Sequence, residues 1–224
     1  MKRYALIVAG GSGTRMGGST PKQFLVLGQR PLLMHTISQF ASAGNSIEII
    51  VVLPQNQIEI WTSLCSYHQF VIEHKLVAGG KTRFESVRNG LEWVEADSLV
   101  AIHDGVRPLI STTIIEESFR IAKEKGSAVA AVSLKDSIRE MVGDSTVSKN
   151  RNNYFLVQTP QTFQSTMIKK YYGLAKSKES FTDDASVYEF FGENVTLIQG
   201  DYKNLKITTP EDLIIAQALL NNNT

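Results

Sequence analysis

Short, unbroken apolar runs alternate along this chain with segments whose apolar residues return every three or four positions. The first run, Tyr4-Ala5-Leu6-Ile7-Val8, is short and uninterrupted and reads as a buried strand. Residues 47–53 are β-branched and nearly continuous, the pattern of a strand covered on both faces. Further strands are predicted at 70–77, 99–102, 128–132 and 195–198, and helical spacing is found over 31–40, 57–67, 82–94 and 166–175. Start signals announce three more helices. Ser111 or Thr112 precedes Glu116, Thr182 precedes Asp183 and Asp184, and Thr209 precedes Pro210, Glu211 and Asp212, in each case a capping hydroxyl followed by acids that suit a helix N-terminus.

Strand–helix alternation at this pace predicts an α/β fold: a Rossmann-like open, mostly parallel sheet with helices on both faces. The alternation breaks at about 135–159, which is polar and mixed in charge. There the weakly β-like runs 137–142 and 145–148 flank Gly143-Asp144, the pattern of a protruding β-arm that ends against another subunit. A plain surface loop accounts for the same pattern equally well. Nothing in 1–224 has the composition of a linker, so the expectation is a single domain plus the arm.

Composition narrows the function class. The chain has 224 residues, 42% hydrophobic and 20% charged, with a formal net charge of +1, which argues against general nucleic-acid binding. No apolar run has the length of a membrane span, and the start of the chain does not read as a signal sequence. The single cysteine, Cys65, lies in an amphipathic segment, reads as core, and suits a reducing cytoplasm.

The chemistry centres on the stretch after the first strand, Val8-Ala9-Gly10-Gly11-Ser12-Gly13-Thr14-Arg15-Met16, continuing to Pro21-Lys22. Glycines at a strand end let backbone N–H groups approach a phosphate chain closely. The dinucleotide fingerprint fails here, because Met16 stands where its last Gly or Ala belongs, and the P-loop fails, because Ser19 stands where its Lys belongs. A purely structural glycine turn remains open on this loop alone. In open α/β sheets ligands bind at the C-terminal strand ends. Two further ends carry Gly79-Gly80-Lys81-Thr82-Arg83, with Ser86 on the following helix, and His103-Asp104-Gly105-Val106-Arg107-Pro108. Three such ends, rich in backbone donors and cations, fit a nucleoside triphosphate.

These residues, with Pro21-Lys22-Gln23-Phe24, Thr159-Pro160-Gln161 and Thr182-Asp183-Asp184-Ala185-Ser186, resemble the 2-C-methyl-D-erythritol 4-phosphate cytidylyltransferase family of the non-mevalonate isoprenoid pathway. The motifs run from about Ala5 to Leu213. The resemblance implies transfer of CMP from CTP to the methylerythritol phosphate, with release of pyrophosphate. It gives Arg15 and Lys22 the catalytic role, and residue chemistry agrees: the nucleophile is an already ionised phosphate, so like charges must be neutralised and no general base is required. His103 is then a neighbour that shapes its loop. Ala9, Gly10, Gly11, Gly13, Gly80, Ser86 and Gly105 are implied to hold CTP, and Asp104, Arg107, Thr159 and Lys206 the polyol phosphate. Ser137, where the family pattern expects Thr, and Arg151 are implied to reach in from the arm of a partner in a homodimer. A divalent metal, Mg²⁺, would bridge the triphosphate oxygens, with no protein side chain assigned as its ligand. A ribitol 5-phosphate cytidylyltransferase and a catalytically silent nucleotide-binding module are the competing readings.

Overall fold

The fold is that of a computed structural model, which describes residues 1–11, 20–44, 46–175 and 181–221. In chain order the elements begin with β1 (Arg3–Val8), the short pair β2 (Val26–Leu27) and β3 (Arg30–Pro31), α1 (Leu32–Ser42), β4 (Ile47–Leu53) and α2 (Ile58–Tyr67). There follow β5 (Lys75–Ala78), α3 (Arg83–Leu91), β6 (Leu99–Asp104), α4 (Thr112–Lys125) and β7 (Ser127–Ser133). The remainder comprises β8 (Ile138–Val142), β9 (Ser145–Lys149), β10 (Phe155–Gln164), α5 (Ser165–Leu174), α6 (Asp184–Phe190), β11 (Leu197–Gln199) and α7 (Pro210–Asn221).

Seven strands form one sheet in the order β11-β7-β10-β6-β1-β4-β5. Six run parallel, and β10 lies antiparallel between β6 and β7. The mostly parallel α/β sheet expected from the alternation is therefore present, with one insertion that the alternation did not announce. β10 begins inside the span read as arm. Its pairing with β7 shifts register between Val157 and Gln161, and this irregularity brings Thr159 to the C-terminal edge beside β6.

Successive side chains of β1 point to opposite faces, and each face has its own core. Ala5 and Ile7 pack with Met34, Ile37 and Phe40 of α1 and with Phe119 of α4. Tyr4, Leu6 and Val8 pack with Val87 of α3 and with Ile168 and Tyr172 of α5. Burial of each such large side chain stabilises the fold by roughly 1.5–3 kcal/mol, which is why the parallel strands read as continuous apolar runs.

Several boundaries differ from the sequence reading. The strand expected from residue 70 starts only at Lys75, because Phe70 turns into the core against Trp61 instead of joining the sheet. The helix expected over 82–94 stops at Leu91, with Trp93 and Val94 in tighter turns bonded to Gly90 and Leu91. α6 is capped by Asp183, not Thr182: its carboxylate accepts Ser186 N–H at 2.9 Å while Ser186 Oγ accepts Asp183 N–H at 3.3 Å. α4 is capped by Ser111, and α7 opens with Pro210. Cys65 is half-buried against the core, where burial pushes its thiol up to about 11, away from nucleophile chemistry. No described helix is long and apolar enough to cross a membrane.

Within 135–159, β8 and β9 form a separate antiparallel hairpin turning at Gly143, whose φ of 60° is the left-handed conformation that glycine adopts without strain. The hairpin makes no ladder with the main sheet.

Candidate active site

The ends of β1, β5 and β6 converge on a cavity of about 270 Å³. Ala9, Gly10 and Gly11 line it from β1, Gly80 to Arg83 with Ser86 from the β5–α3 turn, and Asp104 with Val106 from β6. Lys22, Gln23 and Lys206 complete it. Each loop is tied to its neighbouring strand by backbone bonds: Ala9 N–H to Val52 O (2.9 Å), Gly79 N–H to Leu53 O (2.8 Å) and Gly105 N–H to Val8 O (2.9 Å). The floor is thus an extension of the sheet.

At Gly80 a side chain would not fit: a Cβ there would lie 2.3 Å from Glu85 Cβ and 3.2 Å from the Glu85 carbonyl carbon. The close turn lets Gly80 N–H donate to Ser86 Oγ at 3.1 Å, and Thr82 caps α3 by accepting Glu85 N–H at 3.1 Å. The positive end of α3 therefore opens at the cavity. Gly105 does not line the cavity. It packs behind the wall, where a Cβ would fall 2.8 Å from Ala9 Cβ. Lys22 lies along the glycine loop, its Nζ 2.9 Å from where a Cβ on Gly11 would sit. Arg15 and Gly13 lie outside the described residues.

An adjoining cavity of about 220 Å³ is lined by Arg107, Thr159, Gln158, Gln161, Thr182 and others, and shares Arg83, Asp104 and Lys206 with the first. These three residues form a common wall. The Asp104 side chain, 10% exposed, has Lys206 Nζ at 3.0 Å, Arg107 Nε at 3.3 Å and Arg83 Nε at 3.8 Å from its carboxylate. Burial alone would raise its pKa, but Arg83, Lys206 and Arg107 together outweigh burial and hold it well below the usual carboxylate range. Arg107 also donates to Asn204 O at 2.7 Å.

His103 sits behind this wall, fully buried and edge-on to Phe40. Thr159 Oγ1 accepts Asp104 N–H at 3.1 Å and lies 3.0 Å from His103 Nδ1, so its hydroxyl proton is directed to that nitrogen. His103 Nε2 then donates to Arg107 O at 3.3 Å. Burial pushes the imidazole down to about 3, so it stays neutral and is no base at working pH.

Ser137 and Arg151 line neither cavity. Ser137 is exposed just before β8, and Arg151, also exposed, donates to Lys135 O at the base of the hairpin. Arg83 and Asp184 are the pair that sequence spacing concealed. Nη1 and Nη2 of Arg83 bond Oδ1 and Oδ2 of Asp184 at 2.9 and 2.7 Å across 101 residues of chain. Burial opposes the charge on Arg83, but Asp184, and after it Asp104, more than restore it.

A nucleotide-sized cavity with a glycine floor thus adjoins a second cavity across a charged wall. The family model described as 2-C-methyl-D-erythritol 4-phosphate cytidylyltransferase (IspD) matches residues 4–222. The chain belongs to this family. A cytidylyltransferase of that name from Porphyromonas gingivalis is 48% identical over 220 residues, covering 98% of each chain. One from Phocaeicola vulgatus is 43% identical, covering 98% of this chain and all of the relative. Among solved structures, 4-diphosphocytidyl-2C-methyl-D-erythritol synthase from Anaerococcus prevotii superposes with a TM-score of 0.85 at 31% identity, over 98% of this chain and 96% of that one. The cytidylyltransferase from Thermus thermophilus gives 0.79 at 29% identity, over 99% and 100%. Membership of the IspD family displaces the ribitol-phosphate and silent-module readings, and the fold expected from sequence is the fold of these cytidylyltransferases.

Proposed function

We propose that this chain transfers CMP from CTP to 2-C-methyl-D-erythritol 4-phosphate, a step of isoprenoid precursor synthesis, with CTP in the glycine-floored cavity and the polyol phosphate in its neighbour. The observation that carries this placement is the common wall of Arg83, Asp104 and Lys206. Two anionic substrates that must react with each other need adjoining sites, and cations where they meet.

An oxygen of the polyol phosphate attacks the α-phosphorus of CTP. A new P–O bond forms as the bond to the β-phosphate oxygen breaks, and the electron pair leaves with pyrophosphate. The attacking oxygen is ionised at neutral pH, so no proton has to move, in keeping with the neutral, enclosed His103. What the chain supplies is charge and position. Lys22, lying along the glycine loop, neutralises the α-phosphate as negative charge builds there, and Arg15 does so with it. Backbone around Ala9 to Gly11 and at Gly80, with Ser86, holds the nucleotide. Lys206 and Arg107, both fixed by Asp104, receive the polyol phosphate beside Thr159.

The family chemistry calls for a divalent cation, and we assign Mg²⁺. Among the described residues no group of three His, Cys, Asp or Glu converges, and Asp104, the carboxylate of the wall, is already engaged by three cations. That donor set fits an ion carried mainly by the triphosphate and its own waters, with Asp104 the nearby carboxylate, supplying charge neutralisation along the phosphate chain.

We further assign one nucleotidyltransferase domain whose arm, about 135–159, exchanges with that of a second copy. Met141, Val142 and Val147 on the hairpin and Phe155, Leu156 and Val157 at its base are all exposed large apolar residues. A second copy covers such a surface, and Ser137 and Arg151, remote from this chain's own cavities, then serve the partner's. The single Cys65 suits a cytoplasmic enzyme.

Pyrophosphate release with CTP and Mg²⁺ tests the assignment. Release is expected with methylerythritol phosphate and not with ribitol 5-phosphate. Release with ribitol 5-phosphate alone would retain the mechanism and overturn the substrate.

A further inference from the structure

Arg83 opens α3 and faces both cavities, yet its fork is committed elsewhere. Both of its terminal nitrogens bond Asp184, which is fully buried and also accepts the Tyr172 hydroxyl at 2.5 Å. Asp184 is the first residue of α6, and the start of α6 is itself fixed. Gln161 of β10 donates to Asp183 Oδ2 at 2.9 Å and accepts Ala185 N–H at 2.8 Å, on either side of Asp184. The anchor is therefore immobile, and only the Nε edge of Arg83 faces the common wall, 3.8 Å from Asp104 Oδ1. The other carboxylate oxygen, Oδ2, is the one that meets Lys206 and Arg107.

A buried bidentate pair contributes little net stability, because desolvation offsets its attraction; what its planar geometry fixes is position. We propose that Arg83, anchored by Asp184 and Tyr172, is a positioning residue for the acceptor-phosphate site: it steadies one oxygen of Asp104 so that the other holds Lys206 and Arg107 towards the polyol phosphate. The proposal rests on the reaction assigned above. The charged residues that line the acceptor cavity are the cations Arg83, Arg107 and Lys206 and the carboxylates Asp104 and Asp183, one net positive charge suited to an incoming phosphate. Without Asp184, the guanidinium would turn onto Asp104 and compete with Lys206 for it.

The test is the split between the two substrates in Asp184→Asn, Arg83→Lys and Tyr172→Phe. Asp184→Asn removes the anchoring charge, and Arg83→Lys keeps the cation but loses the fork. Both are expected to raise KM for the polyol phosphate about 10- to 100-fold, the cost of a misplacement near 1 Å. CTP affinity, measured by calorimetry without acceptor, should change far less than the KM for the polyol phosphate. Tyr172→Phe, which removes one hydroxyl, should shift the same KM in the same direction by less, and it keeps the test decisive if the charge variants do not fold. Lower melting temperatures with parent KM values for both substrates would overturn the proposal, as would equal losses for CTP and acceptor. Parent activity is the control: variants at parent KM beside an active parent overturn the role of Arg83 alone, whereas an inactive parent overturns the reaction and this inference with it.

Discussion

Asp104→Asn is the perturbation whose consequences the structure specifies most fully. The side chain is 10% exposed and its carboxylate faces Lys206, Arg107 and Arg83 at 3.0, 3.3 and 3.8 Å. At an effective dielectric constant of about 20, the nearest contact alone has a gross Coulomb energy of about 5 kcal/mol, most of which desolvation cancels. Removing the charge leaves the cations unopposed in a buried wall, and breaking a buried pair in this way costs about 3–5 kcal/mol. For a chain of this length that corresponds to a melting temperature lower by roughly 6–20 °C. The pH dependence has a definite sign. The folded pKa of Asp104 lies below its unfolded value of about 3.9, so its contribution is fully present at neutral pH and is lost as pH falls through that value towards the folded one. Thermal melts of parent and variant should therefore differ by a constant amount between pH 7 and 5 and converge below about pH 4. A variant melting within about 2 °C of the parent at pH 7, less than 1 kcal/mol, would refute this picture of the wall.

Four other outcomes follow from the geometry and the proposed arm exchange. His103, pushed down to about 3 by burial, makes the fold lose up to about 1.4 kcal/mol per pH unit as pH falls below about 6.5, and His103→Gln should abolish that slope in acid melts even if it lowers stability overall. Gly80→Ala forces the β5–α3 turn off Glu85 and Ser86, an overpacking of roughly 1–3 kcal/mol, and should weaken CTP binding about tenfold in calorimetry; an unchanged Kd would show that the turn does not hold the nucleotide. Deleting 138–149 should give monomers in sedimentation, and mixed dimers of Arg151→Ala and Lys22→Ala subunits should recover activity only if arms are exchanged, so a persistent dimer or inactive mixtures would refute the composite site.

The sequence made the parallel core legible because its strands are buried on both faces and so are apolar without interruption, as at 47–53 and 99–102. It concealed β10, whose Gln158-Thr159-Pro160-Gln161 centre is polar and breaks the alternation, although these residues are buried and Gln158 bonds Asp201, Thr159 bonds Asp104 and Gln161 bonds Asp183. Glycine loops and cations at strand ends pointed to the place where β1, β5 and β6 converge on a cavity. The common wall was only half legible. Asp104, Arg107 and Lys206 are recognisable in local motifs, whereas the Arg83–Asp184–Tyr172 anchor joins residues far apart in the chain, and no local pattern encodes such a pairing. Thr182 looked like the cap of α6 because it precedes two acids, but Asp183 outcompetes it through the reciprocal bond with Ser186.

In the proposed reaction fixed cations, and not an acid–base pair, lower the barrier to attack on CTP. Single-turnover rate and CTP affinity of Lys22→Ala, measured beside the parent, test it most directly. The rate should fall by about 10²–10³-fold, the usual effect of removing one fixed group that stabilises developing charge, with CTP affinity changed far less. A parent-like rate, or a loss confined to CTP binding, would contradict it.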